Sequence, residues 1–271
     1  MSEKLLQHLP ALCNTVRRIA VDAGHATLEY FDEAGFHGAL DKADGSPVTA
    51  ADQASEAIIV KALRNLLPEI PIVAEEAAAA GNLPEIAGKE YFWLVDPLDG
   101  TKEFITGSGD YTVNIALIRN GEPVVGVVYT PVNGELYAGS GLGTAVRWLE
   151  KTGNEKNIHV RTAPAAGLTV VASRNHGDPA RLDSFLSHYK VERLLKKGSS
   201  LKICAVAAGK ADVYPRFGPT SEWDTAAGDA VLRSAGGFIT DMKGAVLRYG
   251  KEDGKFLNPE FIAAGKEFPL Y

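Results

Sequence analysis

A chain of 271 residues, 45% hydrophobic and 23% charged, has ample material for one large core or two packed subdomains. Its net charge of −6, with no basic run, argues against nucleic acid as a partner, and no apolar stretch is long enough to cross a bilayer. The first ten residues lack the basic start and apolar run of a signal peptide, and Cys13 and Cys204 read as reduced packing residues of a cytoplasmic protein rather than a disulfide or zinc site.

Leu5, Leu6, Leu9, Leu12, Val16, Ile19 and Ala23 recur at helical spacing and predict one long helix over about 4–32. A polar loop broken by Gly45 and Pro47 follows. Thr49 and Asp52 stand in capping-box spacing ahead of Ile58, Ile59, Leu63 and Leu66, which predicts a second helix. A short strand over 72–74 runs into Glu75-Glu76, and a stronger one over 91–95 runs into Asp96. Asn120-Gly121, between apolar runs at 112–119 and 123–129, signals a hairpin; Asn133-Gly134 signals a second, in a meander ending near Leu149. The polar stretch 151–157 marks the expected junction between subdomains 1–150 and 151–271.

Beyond it, strands and helices alternate. The expected elements are a strand over 168–172, a helix opened by Asp178-Pro179 and a strand around Leu194-Leu195. Next come a helix capped by Ser199 and stopped at Gly209, a strand over 211–214, and a helix over 224–235 closed by Gly236-Gly237. The expected class is therefore an antiparallel α+β half followed by an α/β half.

The chemistry lies where strands end. In Asp96-Pro97-Leu98-Asp99-Gly100-Thr101, two carboxylates three residues apart flank a proline-led turn and can point at one space, with the Leu98 carbonyl between them. Such oxygen-only donors suit a hard cation such as magnesium. Gly100 lets backbone approach an anion, and the amides of Gly100 and Thr101 can hold a phosphate if a helix starts there. Glu75-Glu76 alone reads equally as a solvated pair opening a helix, and Asp224 alone as an N-cap. Taken together, Glu75, Asp96, Asp99 and Asp224 would put four negative charges in one cavity, which requires cations.

The hexapeptide 96–101 resembles the signature of the inositol monophosphatase family of magnesium-dependent phosphatases. Glu75-Glu76, Trp223-Asp224-Thr225-Ala226-Ala227-Gly228 and Thr49-Ala50-Ala51-Asp52 are similar to the family's other motifs, in the family's order. The resemblance implies a layered αβαβα sandwich. It also implies two or three magnesium ions held by Glu75, Asp96, the Leu98 carbonyl, Asp99 and Asp224. Within the family, Thr101-Lys102-Glu103-Phe104 resembles the 3'(2'),5'-bisphosphate nucleotidases, including the bacterial sulfur-assimilation type, where inositol phosphatases have Thr-x-Asn-Phe. Gly198-Ser199-Ser200-Leu201-Lys202 and 212–224 resemble nucleotidase motifs, and Ser173-Arg174-Asn175-His176 departs at Asn175 from the Ser-Arg-Ser-His of that branch.

A bisphosphorylated nucleotide needs cations for its second phosphate. Lys202 and Arg216 can supply them, with Ser199 and His176 as further contacts and Gly100, Thr101 and Asp224 around the reacting phosphate. Each has a plain alternative: Lys202 as a solvated helix lysine, Arg216 as a structural ion-pair partner, His176 as a surface histidine. The implied mechanism is in-line water attack assisted by metal ions, with Thr101 orienting or deprotonating the water and Asp52 holding the Thr101 hydroxyl; Asp52 alone reads as a helix-start residue. The implied reaction converts adenosine 3',5'-bisphosphate to AMP and phosphate, with 3'-phosphoadenylyl sulfate as a second substrate and with lithium sensitivity. An inositol monophosphatase or sugar bisphosphatase shares the same metal site, and a non-catalytic nucleotide or metal sensor is the rival of another class. A dinucleotide-binding enzyme is disfavoured, because no Gly-x-Gly-x-x-Gly follows an early strand. The expected partner is a small phosphate ester, for a monomer or homodimer without stable membrane insertion. The resemblance implies a cytoplasmic protein, as for close relatives, some of them loosely attached to the inner membrane face, although no amphipathic basic helix here supports a membrane role.

Overall fold

In this computed structural model, which describes residues 2–35, 47–173, 178–251, 254–265 and 268, the strands form two sheets. The first runs in spatial order β1 (Ile72–Ala74), β2 (Tyr91–Asp99), β3 (Thr112–Arg119), β4 (Glu122–Thr130), β5 (Glu135–Gly139), β6 (Val146–Leu149) and β7 (Asn154–Asn157). β1 lies parallel to β2, and each later strand is antiparallel to its neighbour, so the expected meander is present. Asn120 (φ 50) and Gly121 (φ 77) both take the left-handed conformation that a tight hairpin turn requires. The polar stretch after Leu149 adds β7 to the edge of this sheet, and the chain changes sheet only after it. The second sheet has the order β11 (Gly237–Asp241), β12 (Phe261–Gly265), β10 (Val213–Arg216), β8 (Leu168–Ser173), β9 (Val191–Lys197).

Helices cover both sheets. α1 (Ser2–Gln7) and α2 (Leu9–Leu28) replace the single helix expected from periodicity; the chain breaks at His8, whose backbone leaves helical geometry just ahead of Pro10. The apolar stripe of α2 (Leu12, Val16, Ile19, Ala23) and that of α3 (Pro47–Leu66; Ile59, Leu63) pack on one face of the first sheet against Trp93, Val95, Ile115 and Val127. α7 (Leu201–Ala207) and α8 (Glu222–Ser234) fill the space between the sheets, against Phe92, Leu94 and Ala116 of the first and Val171, Tyr214 and Ala263 of the second. α6 (Pro179–Leu186) covers the outer face of the second sheet through Phe185 and Leu186. The result is a layered αβαβα sandwich. Successive residues of β2 serve opposite layers, which is why this strand is almost continuously apolar.

Three helix starts differ from expectation. α3 begins at Pro47, so Thr49 lies in its first turn and Thr49–Asp52 is not the capping pair. Ser200, not Ser199, stands before α7, while Ser199 takes a left-handed φ of 45. α8 begins at Glu222 after Ser221, placing Asp224 three residues beyond the cap. In each case the boundary is decided by the loop feeding the helix, not by the apolar stripe. The loop at 41–46 lies outside the described residues. Among the described residues no helix is long and apolar enough to cross a membrane.

α8 rests directly on β4 because Gly126 has no side chain: a Cβ there would lie 2.3 Å from the Ala227 carbonyl oxygen and 2.6 Å from Ala230 Cβ. Gly126→Val is therefore expected to push α8 off the sheet and lower stability by about 1–3 kcal/mol, read from the midpoint of guanidinium unfolding. An unchanged midpoint would show that the helix is not seated on this strand.

Candidate active site

The strand-end acids owe their placement to a bulge. β2 pairs with β3 through Asp96↔Asn114 and resumes at Asp99↔Thr112, so Pro97 and Leu98 together oppose Val113. Residues three apart on a regular strand point to opposite faces. Asn114 and Thr112, two apart, share a face, and the extra residue puts Asp96 and Asp99 on that face as well. Pro97 has no N–H to lose from the ladder. Its carbonyl accepts from Ser55 Oγ at 2.9 Å, and Leu98 N donates to Asp96 Oδ1 at 3.0 Å. The Leu98 side chain is buried with Val48, Ala51, Phe104 and Tyr111, which anchors the bulge from below. Gly100 then turns the chain with a φ of 105, and Thr101 opens α5 (Thr101–Ile105).

Other elements bring further acids. Glu75 is the first residue of α4 (Glu75–Ala79), directly after β1. Asp52 is fully buried on α3. Asp224 sits in the first turn of α8, where its Oδ2 accepts from Ser221 N at 2.9 Å, the carboxylate half of a capping box. These acids feel one another. Burial, then the charges of Glu75, Asp99, Asp224 and Asp52, push the Asp96 carboxyl well above the usual range. Burial, then Asp99, with a smaller contribution from Glu75, pushes Asp224 up to about 8.

A cavity of about 800 Å³ opens beside this cluster, lined by Asp99, Thr101, Lys202, Tyr214, Arg216 and Asp224 among others. Lys202 is buried on α7, donates to the Ser199 carbonyl at 2.5 Å and lies 5.5 Å from the centre of the Tyr214 ring. Burial pushes its ammonium down to about 8, against the pull of Asp99. Arg216 ends β10 and donates to the Pro219 carbonyl at 3.0 Å. Ser199 lines the same wall, and His176 lies outside the described residues.

The donor set fits a hard divalent cation: it is all oxygen, strongly acidic and partly withdrawn from water. Among the described residues, however, no three Asp, Glu, His or Cys side chains converge closely enough to hold a metal together. Asp99, Asp224 and Asp96 are each turned to a local donor. Asp99 Oδ2 takes Ser200 N at 2.6 Å and lies 3.0 Å from Ser200 Oγ, while Asp224 takes Ser221 N and Asp96 takes Leu98 N.

Two residues in this network were not foreseen as site residues. Ser200 joins Asp99 to the Asp224 carbonyl, 2.6 Å from its Oγ, and Asn114 Nδ2 donates to Ser200 Oγ at 2.9 Å. The Ser199-Ser200 pair was visible as a motif. Asn114 gave no signal, because its role comes from strand pairing alone. Glu103, which lines the cavity from α5, is buried against Gly198, where a Cβ would lie 2.6 Å from Glu103 Cγ.

The sequence pattern of the inositol monophosphatase family matches residues 11–267. This chain belongs to that family. Magnesium use is general within it. The 3'(2'),5'-bisphosphate nucleotidase CysQ of Escherichia coli (strain K12) is 44% identical over 250 residues, covering 92% of this chain and 98% of that protein. The crystal structure of CysQ from Bacteroides thetaiotaomicron superposes with a TM-score of 0.78 at 37% identity, covering 95% of this chain and 98% of that one. The inositol monophosphatase from Anabaena (Nostoc) sp. PCC 7120 superposes with a TM-score of 0.71 at 28% identity, covering 95% and 91%.

The raised carboxyls make stability depend on pH. Asp224 titrates near its ordinary 3.8 when unfolded and at about 8 when folded, and Asp96 shifts in the same direction. Between these values the folded chain binds more protons than the unfolded one, so stability falls as pH rises. The melting temperature of EDTA-treated protein is expected to drop from pH 6 to pH 8, and magnesium to raise it more at pH 8. A melting temperature that climbs over this range without metal would contradict the clustered acids.

Proposed function

We propose that this chain is a magnesium-dependent 3'(2'),5'-bisphosphate nucleotidase, hydrolysing adenosine 3',5'-bisphosphate to AMP and phosphate and also accepting 3'-phosphoadenylyl sulfate. The observation that carries the reading is one cavity lined both by the acids Asp99 and Asp224 and by the cations Lys202 and Arg216. A monophosphate needs only the first; a substrate with two phosphates uses both. The higher identity to the nucleotidase relatives, 44% and 37% against 28% for the inositol monophosphatase, supports the same branch.

In this reading Glu75, Asp96, the Leu98 carbonyl, Asp99 and Asp224 hold two or three magnesium ions. When bound, these supply Lewis acidity toward the phosphoryl oxygens, the attacking water and the leaving 3' oxygen. Thr101, at the start of α5 and on the cavity wall, would orient the water or take its proton, and buried Asp52 would hold the Thr101 hydroxyl and accept that proton from it. The amides of Gly100 and Thr101 face the reacting phosphate. Lys202, Arg216, Ser199 and His176 grip the other phosphate, where the guanidinium can bind two oxygens at once. A lysine titrating at about 8 remains cationic at neutral pH, which supports its part in anion binding. Residues 1–150 would contribute most of the metal ligands, and 151–271 would complete the metal site and bind the nucleotide. The free, buried Cys13 and Cys204 support a cytoplasmic setting. The partner is a small phosphate ester, not nucleic acid or membrane, and the protein acts as a monomer or homodimer.

Phosphate release with magnesium should be fastest from adenosine 3',5'-bisphosphate when compared with inositol 1-phosphate and fructose 1,6-bisphosphate, and lithium should inhibit it. Preference for inositol 1-phosphate would move the chain to the inositol monophosphatases; no release from any of the three would favour a sensor. Lys202→Ala should raise KM for the bisphosphate by about 10-fold or more, the effect of losing a charged hydrogen bond, with little change for a monophosphate. Equal effects on both would remove Lys202 from the second phosphate site. Asp99→Asn should abolish activity and weaken magnesium binding while the circular dichroism of the fold survives; full activity would end the metal assignment.

A further inference from the structure

Helix α4 is five residues long and follows Ala74, which offers no side-chain cap. A helix this short cannot hold its own first turn, since its leading N–H groups have no partners within it. Two of those groups are satisfied from elsewhere. Glu76 N donates to Glu56 Oε2 at 2.8 Å, and Ala77 N donates to Glu56 Oε1 at 3.0 Å. Both carboxylate oxygens of one side chain on α3 thus clasp the start of α4, in the charge-assisted geometry that a helix N-terminus favours.

The clasped amides follow immediately after Glu75. Glu75 opens the helix, so the direction of its side chain depends on the turn from β1 into α4, and Glu56 holds that turn. Glu56 also belongs to a set. Asp52, Ser55 and Glu56 occupy positions i, i+3 and i+4 of α3 and therefore one face. Ser55 Oγ holds the Pro97 carbonyl in the β2 bulge, and the charge of Asp52 bears on Asp96. One face of α3 thus touches both strand ends from which the first sheet presents its acids.

We propose that Glu56 is a positioning residue for metal binding, acting through Glu75: by capping α4 in trans it fixes the carboxylate of Glu75 toward Asp96 and Asp224. This rests on the reading of Glu75 as a magnesium ligand. Groups that orient a metal ligand typically influence metal affinity by about 10–100-fold when removed.

The test uses the full chain, with magnesium chloride as the probe, and compares wild type with Glu56→Ala, Glu56→Gln and Glu75→Gln. Three quantities are read: magnesium affinity by calorimetry, the half-saturating magnesium concentration for phosphate release, and hydrogen exchange at Glu76 and Ala77. Glu56→Ala is expected to weaken magnesium about 10-fold or more and to speed exchange at the two amides, while KM for substrate at saturating magnesium stays within about twofold. Glu56→Gln keeps one acceptor and should fall between. A residue that only stabilised the fold would lower the melting temperature and leave magnesium affinity alone. Wild-type magnesium affinity in folded Glu56→Ala, with affinity lost in Glu75→Gln, would overturn the positioning role. Wild-type affinity in Glu75→Gln would overturn the ligand reading beneath it, and the role of Glu56 with it. Should Glu56→Ala fail to fold, the nearly isosteric Glu56→Gln decides by the same criteria.

Discussion

The bulge at Pro97 and Leu98 is the constraint on which the site depends. A strand buried on both faces can send consecutive side chains only to alternate layers, and Asp96 and Asp99 would then be separated by the sheet itself. The extra residue breaks that alternation once, at the strand's C-terminal end, where Asn114 and Thr112 of β3 already share a face. Its backbone groups are met locally, by Ser55 for the Pro97 carbonyl and by Asp96 for the Leu98 amide. The seating of α3 and the geometry of the bulge are therefore one arrangement: moving the helix would strand a buried carbonyl, and a regular strand would leave Ser55 without its acceptor.

The layers then assemble what no single element could hold. Asp96 and Asp99 come from the first sheet, Asp224 and Lys202 from the helices between the sheets, and Arg216 from the second sheet. Burying several carboxylates together is unfavourable: burial first, and then their mutual charge, raises the affinity of Asp96 and Asp224 for protons. The opposing force comes from the apolar clusters around Trp93, Phe92 and Tyr214, which bury enough surface to fix elements whose charged ends repel. Such strain at a functional end, held by a well-packed body, is a common division of labour in enzymes.

Lys202 shows how the same packing sets chemical character. Its ammonium is buried beside the Tyr214 ring and bonded to a carbonyl, and the negative field of Asp99 opposes the downward push of burial on its pKa. The acid cluster and the cation are thus coupled: each makes the other's charge less costly, and both face one cavity.

Much of this was legible in the residues. Hydrophobic periodicity located α2 and α3, Gly236-Gly237 marked the end of α8, Asn120-Gly121 located the β3–β4 hairpin, and the order of the short acidic motifs gave the family and hence the layered sandwich, because these features depend on neighbours in the chain. Helix starts were less legible: His8 splits the first helix, and Ser200 rather than Ser199 precedes α7, since loop geometry decides which residue closes the turn. The parity of Asp96 and Asp99, the link from Asn114 through Ser200 to Asp99 and the clasp of Glu56 on α4 were decided by tertiary structure alone. Each joins groups distant in sequence, through strand register or helix packing, and the sequence by itself determined which chemical groups were available but not which of them would meet.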